Sequence, residues 1–122
     1  MTELVFTVDD VPPTANLIWR QNPRGGMYLS PAMKTFCELV GLAVRKQRIP
    51  DDWKYCGVEI VVEPRQRRGD VDNRIMPVLD ALTKCGFWED DDIVAFVSCR
   101  YGAVNKRGRT IIRITPRDSK YD

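Results

Sequence analysis

The chain contains no histidine, so any acid–base or metal chemistry it performs must come from carboxylates, thiols or cations. Its four cysteines, Cys37, Cys56, Cys85 and Cys99, show no C-x-x-C spacing. Without histidine, that argues against a zinc site and for free thiols kept reduced. No apolar run approaches the roughly 20 residues of a membrane span. The first residues carry Glu3, Asp9 and Asp10 and lack a signal-peptide core. A cytoplasmic location with no membrane partner is therefore expected. Neither sign of charge dominates, with 19 Lys and Arg against 17 Asp and Glu, so bulk electrostatics do not announce a polyanionic partner. There is no glycine-rich phosphate loop, internal repeat or low-complexity tract.

What is present is patterned. At 122 residues and 43% hydrophobic content, the chain suits one domain, residues 1–122, with a real core. Leu4, Phe6 and Val8 alternate with Glu3, Val5, Thr7 and Asp9 as a first strand, which Pro12-Pro13 ends. A polar loop then runs through Asn16, Arg20, Asn22, Arg24 and Gly25-Gly26. Ser30-Pro31 reads as an N-cap and first helical position, opening a helix to about Lys46 with Met33, Phe36, Val40 and Val44 on one side. Val58, Ile60 and Val62 mark a second strand. Ile75, Leu79 and Leu82 mark a second helix, stopped by Gly86. Residues 93–101 and 109–115 supply third and fourth strands, joined by a hairpin-like basic turn from Gly102 to Gly108. The order predicts an α+β single domain: a mixed β-sheet of about four strands with two main helices packed on one face.

The chemistry is concentrated in two acidic clusters, Asp70 and Asp72 after Arg67-Arg68-Gly69, and Asp90, Asp91 and Asp92 after Phe87-Trp88-Glu89. Asp70 and Asp72 are two apart at a strand end, so extended backbone puts them on one face. If the strand after Asp91 lies beside the strand before Asp70, Asp91 can join them as a third carboxylate. Such a set suits a hard cation that polarises a phosphodiester. Plainer roles exist for each part: Asp72 or Asn73 as the second helix's N-cap, Asp90–Asp92 as a solvated turn, the arginines as a charged loop. An EF-hand fits worse, because Arg74 and Ile75 stand where its fifth-position ligand and sixth-position glycine belong. Basic groups at Arg20 and Arg24, at Arg65, Arg67 and Arg68, and at Lys106 and Arg107 (with Arg109 close by) could meet phosphates.

Gly69-Asp70-Val71-Asp72-Asn73, then Asp80-Ala81-Leu82 within the second helix, then Trp88-Glu89-Asp90-Asp91 resemble the D-x-D-N, D-A-L and W-x-D-D signature of the RusA-like Holliday junction resolvases. Pro12-Pro13-Thr14-Ala15-Asn16 resembles the family's N-terminal P-P-S/T-x-N element, so the resemblance spans essentially the whole chain. It implies a crossover junction endodeoxyribonuclease of DNA recombination and repair, a homodimer that nicks two opposed strands of a four-way junction. It also implies Mg²⁺, with Mn²⁺ as a substitute, held by Asp70, Asp72 and Asp91 as metal-binding and catalytic residues. The expected products carry 5′-phosphate and 3′-hydroxyl ends. The family lysine four residues after Asp72 is Met76 here, which leaves Arg74 or Arg68 to supply local positive charge. Arg20, Arg24, Arg65, Arg67, Arg68, Lys106 and Arg107 are the expected DNA-binding residues. Phe87, Trp88 and Phe96 are candidates either for a dimer interface or for the core. Alternative readings are a junction-binding protein without catalysis and a nuclease for other branched DNA.

Overall fold

A computed structural model describes residues 3–67 and 69–121. In chain order the elements are β1 (Leu4–Val8), β2 (Trp19–Gln21), β3 (Met27–Leu29), α1 (Pro31–Val44), β4 (Tyr55–Glu63), α2 (Ile75–Lys84), β5 (Val94–Tyr101) and β6 (Arg109–Arg117). Single 3-10 turns occupy Ala15–Leu17, Val71–Arg74 and Asp91–Ile93. The expected α+β architecture holds, with the main sheet in the order β1-β6-β4-β5. β6 runs antiparallel to both β1 and β4, whereas β4 and β5 are parallel. A parallel pair cannot be joined by a tight turn, and α2 lies within the crossover between them.

Alternation along the strands makes the core one-sided. Leu4, Phe6 and Val8 of β1, Val58, Ile60 and Val62 of β4, and Ile112 and Ile114 of β6 are all buried. Onto them pack Met33, Phe36, Val40 and Val44 of α1 and Val78, Ala81 and Leu82 of α2. Ser30 caps α1 by accepting the Met33 N–H at 3.1 Å, as expected. The helix stops at Val44 rather than Lys46, because Arg45 and Lys46 both turn left-handed. At the end of α2, Gly86 (φ 82°) lets its own N–H reach the Thr83 carbonyl and the Phe87 N–H reach that of Leu82. This paired closure needs a residue tolerant of positive φ. It drives Phe87 into the core, edge-on to Phe6 and Trp88, while the Trp88 indole donates to the Thr83 hydroxyl at 2.7 Å. Phe87 and Trp88 therefore belong to the core, and Phe96 alone of the three is exposed.

Two expectations fail. The polar stretch after Pro13 is not one loop: it contains the β2–β3 hairpin, registered Trp19↔Leu29 and Gln21↔Met27. Three-residue strands with mostly exposed side chains carry no alternation for a sequence to display. Nor is Gly102–Gly108 a hairpin turn, since β4 separates β5 from β6. The segment instead crosses the C-terminal end of β4, where Gly102 N–H bonds the Val62 carbonyl and Asn105 N–H that of Pro64.

Glu63 pins this crossing, accepting from Arg109 at 2.9 and 3.0 Å and from Asn105 at 3.1 Å. The Arg109 hydrogen bond, with that of Asn105, holds the Glu63 carboxyl below the usual 4.5. A depressed carboxyl stabilises the fold above its unfolded value, and that stabilisation is lost as pH falls through the depressed value. Thermal melts should accordingly show wild type above Glu63→Gln at pH 7 and the gap closing below about pH 4. A gap that stays constant to pH 3 would refute this account.

All four cysteines are free thiols. Burial pushes Cys56 up to about 12 and Cys99 to about 11, the latter eased slightly by Arg74. They are apolar filling rather than nucleophiles. Among the described residues no helix is long and apolar enough to cross a membrane.

Candidate acidic site and nucleic-acid interface

Beyond β4 the chain reaches Gly69, whose φ of +87° suits glycine for a second reason as well. A Cβ there would meet an Arg74 guanidinium nitrogen at 3.2 Å and the Tyr101 hydroxyl at 3.5 Å. The Tyr101 hydroxyl donates to the Gly69 carbonyl at 3.2 Å. Arg74 donates to the Pro12 carbonyl and, at 3.5 Å, toward Tyr101. The turn that presents Asp70 and Asp72 is thereby fastened to the C-terminal end of β5 and to the diproline segment. Both aspartates are exposed.

Neither Asp72 nor Asn73 caps α2. The cap position is Arg74, with no side-chain capping bond, and Asp72 lies inside the preceding 3-10 turn. Capping instead occupies Asp90, which accepts the Asp92 N–H at 3.2 Å and opens the 3-10 turn of Asp91. The Asp91 carboxyl sits above its usual range: partial desolvation raises it first, then a hydrogen bond that its protonated form donates to the Asp90 carboxylate, and the charges of Asp90, Asp80 and Asp92. Asp80, on α2, is itself raised by burial and eased by Lys84. In the sequence Asp80 stands out only within the D-A-L motif; its electrostatic approach to Asp91 brings α2 against the turn before β5, a pairing that local spacing does not display.

β4 and β5 are adjacent, the condition set for the three aspartates to meet. They are also parallel, with Val94 beside Cys56 and Tyr101 beside Val62. Asp70 and Asp72 follow the C-terminal end of β4, whereas Asp91 precedes the N-terminal end of β5. The two clusters thus lie at opposite ends of the sheet. Among the described residues, no group of three or more His, Cys, Asp or Glu is gathered closely enough to hold a metal ion. The donors are oxygen throughout, as a hard cation requires, but in this chain they stand in two separate sets.

The expected DNA cations also divide. Arg65 and Arg67 follow β4, and Lys106 and Arg107 lie in the crossing segment at the same end. Arg67, Lys106 and Arg107 are exposed. Arg65 is engaged by Asp10 at 2.9 Å, and Arg109 by Glu63. Arg68 lies outside the described residues. Arg20 and Arg24 are exposed on the β2–β3 hairpin, whose Trp19 ring receives the Lys84 ammonium at the far end of α2. Beside the Asp70 turn opens a cleft of about 800 Å³, lined by Pro12, Pro13, Leu17, Arg65, Gly69 and Arg74 among others.

Comparison with known proteins places this arrangement. The family model described as "Endodeoxyribonuclease RusA" matches residues 10–115, a span that includes both acidic clusters and every expected DNA-contacting residue. Relatives named crossover junction endodeoxyribonuclease RusA from Escherichia coli K12 and Shigella sonnei are 34% identical over 107 residues, covering 85% of this chain and 88% of theirs. A relative of the same name from Enterobacteria phage 82 shows the same identity and coverage. With a family model matched over most of its length and relatives above 30% identity, the chain belongs to the RusA family of endodeoxyribonucleases.

Proposed function

We propose that this protein is a Holliday junction resolvase, cutting four-way DNA junctions by paired, symmetric nicks in recombination and repair. One observation carries the reading: residues 10–115 match the endodeoxyribonuclease family as a unit, with both acidic clusters and the basic groups inside the match. Asp70, Asp72 and Asp91 are the proposed catalytic and metal-holding residues. When bound, Mg²⁺ (or Mn²⁺ in its place) would polarise the scissile phosphodiester and lower the pKa of the attacking water.

The side chains themselves divide the remaining work. Arg67, Lys106 and Arg107 would take backbone phosphates beside the Asp70 turn, fixing register without reading sequence. Arg20 and Arg24 would hold a second stretch of backbone at the hairpin. Binding should therefore weaken steeply with salt. Arg74, held by backbone and hydroxyl oxygens, brings a fixed positive charge to the turn where the family lysine is replaced by Met76. The products would carry 5′-phosphate and 3′-hydroxyl ends.

Two strands must be cut symmetrically and each chain carries one set of aspartates, so the working form is a C2 homodimer. The sheet face away from the helices, with Val5 and Phe96 exposed at 48% and 46%, offers apolar area for a second copy. The cytoplasm, where junctions arise, is the expected location.

The test is cleavage of a synthetic four-way junction beside a flap, a fork and a linear duplex at fixed salt, with Mg²⁺, Mn²⁺ or EDTA. Metal-dependent paired nicking of the junction in preference to the others is expected. Preference for flaps would move the assignment to another branched substrate. Tight junction binding without cleavage in either metal would mark a non-catalytic binder.

A further inference from the structure

We propose that the β2–β3 hairpin is a stacking site for unpaired nucleobases, with Trp19 and Tyr28 as its platforms and Arg20 and Arg24 on the flanking phosphates. The inference rests on the proposed junction-cutting reading and deepens it, by assigning this element one part of a branched DNA.

Composition singles the hairpin out. No Asp or Glu occurs between Val11 and Cys37, although the chain holds 17. Within that stretch Trp19, Met27 and Tyr28 are 48%, 65% and 41% exposed. Aromatic rings left in water beside cations, with no carboxylate among them, suit a ligand that is both anionic and flat. Nucleic acid with bare base faces is such a ligand.

Strand pairing sets the two rings on opposite sides. Arg20 stands opposite Tyr28, and Trp19 opposite Leu29. Directly opposed residues share a face and successive residues alternate. Tyr28 therefore shares its face with a guanidinium, which can hold the phosphate of the base stacked on the ring. On the other face the Lys84 ammonium lies 5.8 Å from the Trp19 ring centroid, and nearly half of Trp19 still stays in solvent. Lys84 is the last residue of α2, just before the segment that leads to Asp91. The hairpin thus stands at the Asp91 end of the molecule.

The platform is ordered before any ligand arrives. Ile18, 1% exposed, roots the hairpin in the core, and its carbonyl accepts the Ser30 N–H at 2.8 Å. At the tip the Gly25 N–H donates to the Asn22 carbonyl at 2.9 Å, and the Asn22 N–H to the Gly26 carbonyl at 3.0 Å. The Asn22 Oδ1 also accepts the Arg24 N–H at 3.0 Å. Rings held on such a frame lose little entropy when a base is stacked on them.

Stacking also decides which nucleotides qualify. In a continuous duplex each base face is covered by its neighbours, so the rings find nothing flat to meet. At the branch point of a junction, or in a single strand, faces are open. Phosphate contacts hold DNA without regard to its bases. The two rings add a preference for the place where the base stack is interrupted.

The experiment uses short oligothymidylate in EDTA, where no cutting can occur. Of the three tryptophans, Trp53 and Trp88 are buried, so solvent-accessible fluorescence comes from Trp19. Saturating oligothymidylate should quench it, and a linear duplex should not. By anisotropy, Trp19→Ala and Tyr28→Ala should each weaken oligothymidylate binding about tenfold, while Tyr28→Phe, which keeps the ring, binds as wild type. Arg20→Gln should lower the salt dependence by about one phosphate contact and leave the quench at saturation intact. Wild-type affinity in both alanine variants, or no quench at saturation, would overturn the inference. So would unchanged affinity together with loss of a dimer by sedimentation, which would mark the hairpin as a subunit contact. Quenching in a protein that cuts no junction would remove the nuclease reading and leave the stacking site standing. Junction cutting with unaltered oligothymidylate binding in both alanine variants would do the reverse.

Discussion

Asp91→Asn is expected to slow junction nicking by at least about a hundredfold, a loss larger than that usual for groups supporting metal ligands. The side chain is exposed and makes none of the contacts that close its turn, which Asp90 closes. The unfolding free energy should therefore change by no more than an ordinary surface substitution does, about 0.5 kcal/mol. Binding to the junction without metal should be preserved or slightly stronger, since one negative charge facing DNA is removed. The decisive measurement is single-turnover cleavage at saturating protein, which separates the chemical step from binding. Loss confined to binding, with the single-turnover rate intact, would show that Asp91 meets DNA and not the reacting phosphate. Retention of both would remove it from the site. The result matters because Asp91 precedes β5 whereas Asp70 follows the parallel strand β4, so nearness to the first aspartate pair does not by itself assign Asp91 a role.

Phe87→Ala should be the most damaging change to the fold, costing about 3–5 kcal/mol of unfolding free energy. Native stabilities are typically only 5–15 kcal/mol, so much of the total would go. Phe87 is fully buried, packs edge-on against Phe6 of β1 and against Trp88, and gives its carbonyl to the Ile49 N–H at 2.9 Å. It joins sheet, α2 and the segment after α1 at one point, so truncation opens a cavity that no single element can close. Urea unfolding by Trp fluorescence measures the cost, and a loss under about 1 kcal/mol would show the site collapsing around the smaller side chain. Activity per folded molecule should fall too, because Phe87 positions the turn that carries Asp91.

Much of this molecule is written locally. Ser30-Pro31 opens α1 because the cap bond and the proline's fixed φ act within one turn. Gly86 closes α2 because only its own backbone has to turn left-handed. The alternating strands β1 and β4 and the buried face of α1 follow from side-chain periods of 2 and about 3.6. Helix α2 instead buries Val78, Ala81 and Leu82 and leaves the expected Ile75 and Leu79 only half-buried. The aspartate pairs and the arginine clusters are equally plain in the local chain. Short exposed strands escape that logic: β2 and β3 leave no alternation in the chain and are defined only by the pairing of Trp19 with Leu29.

Pairings between distant residues lie beyond it altogether. Nothing in the local chain says that Arg65 is neutralised by Asp10, 55 residues away, or Arg109 by Glu63, 46 residues away. Strand order and direction belong to the same class, and they decide the site. The sequence alone determined which carboxylates are available and what cation they suit, since that depends only on the chemistry of the side chains. Tertiary structure alone decided that β5 runs parallel to β4. Residues leaving one parallel strand and residues entering the next necessarily emerge at opposite ends of the sheet.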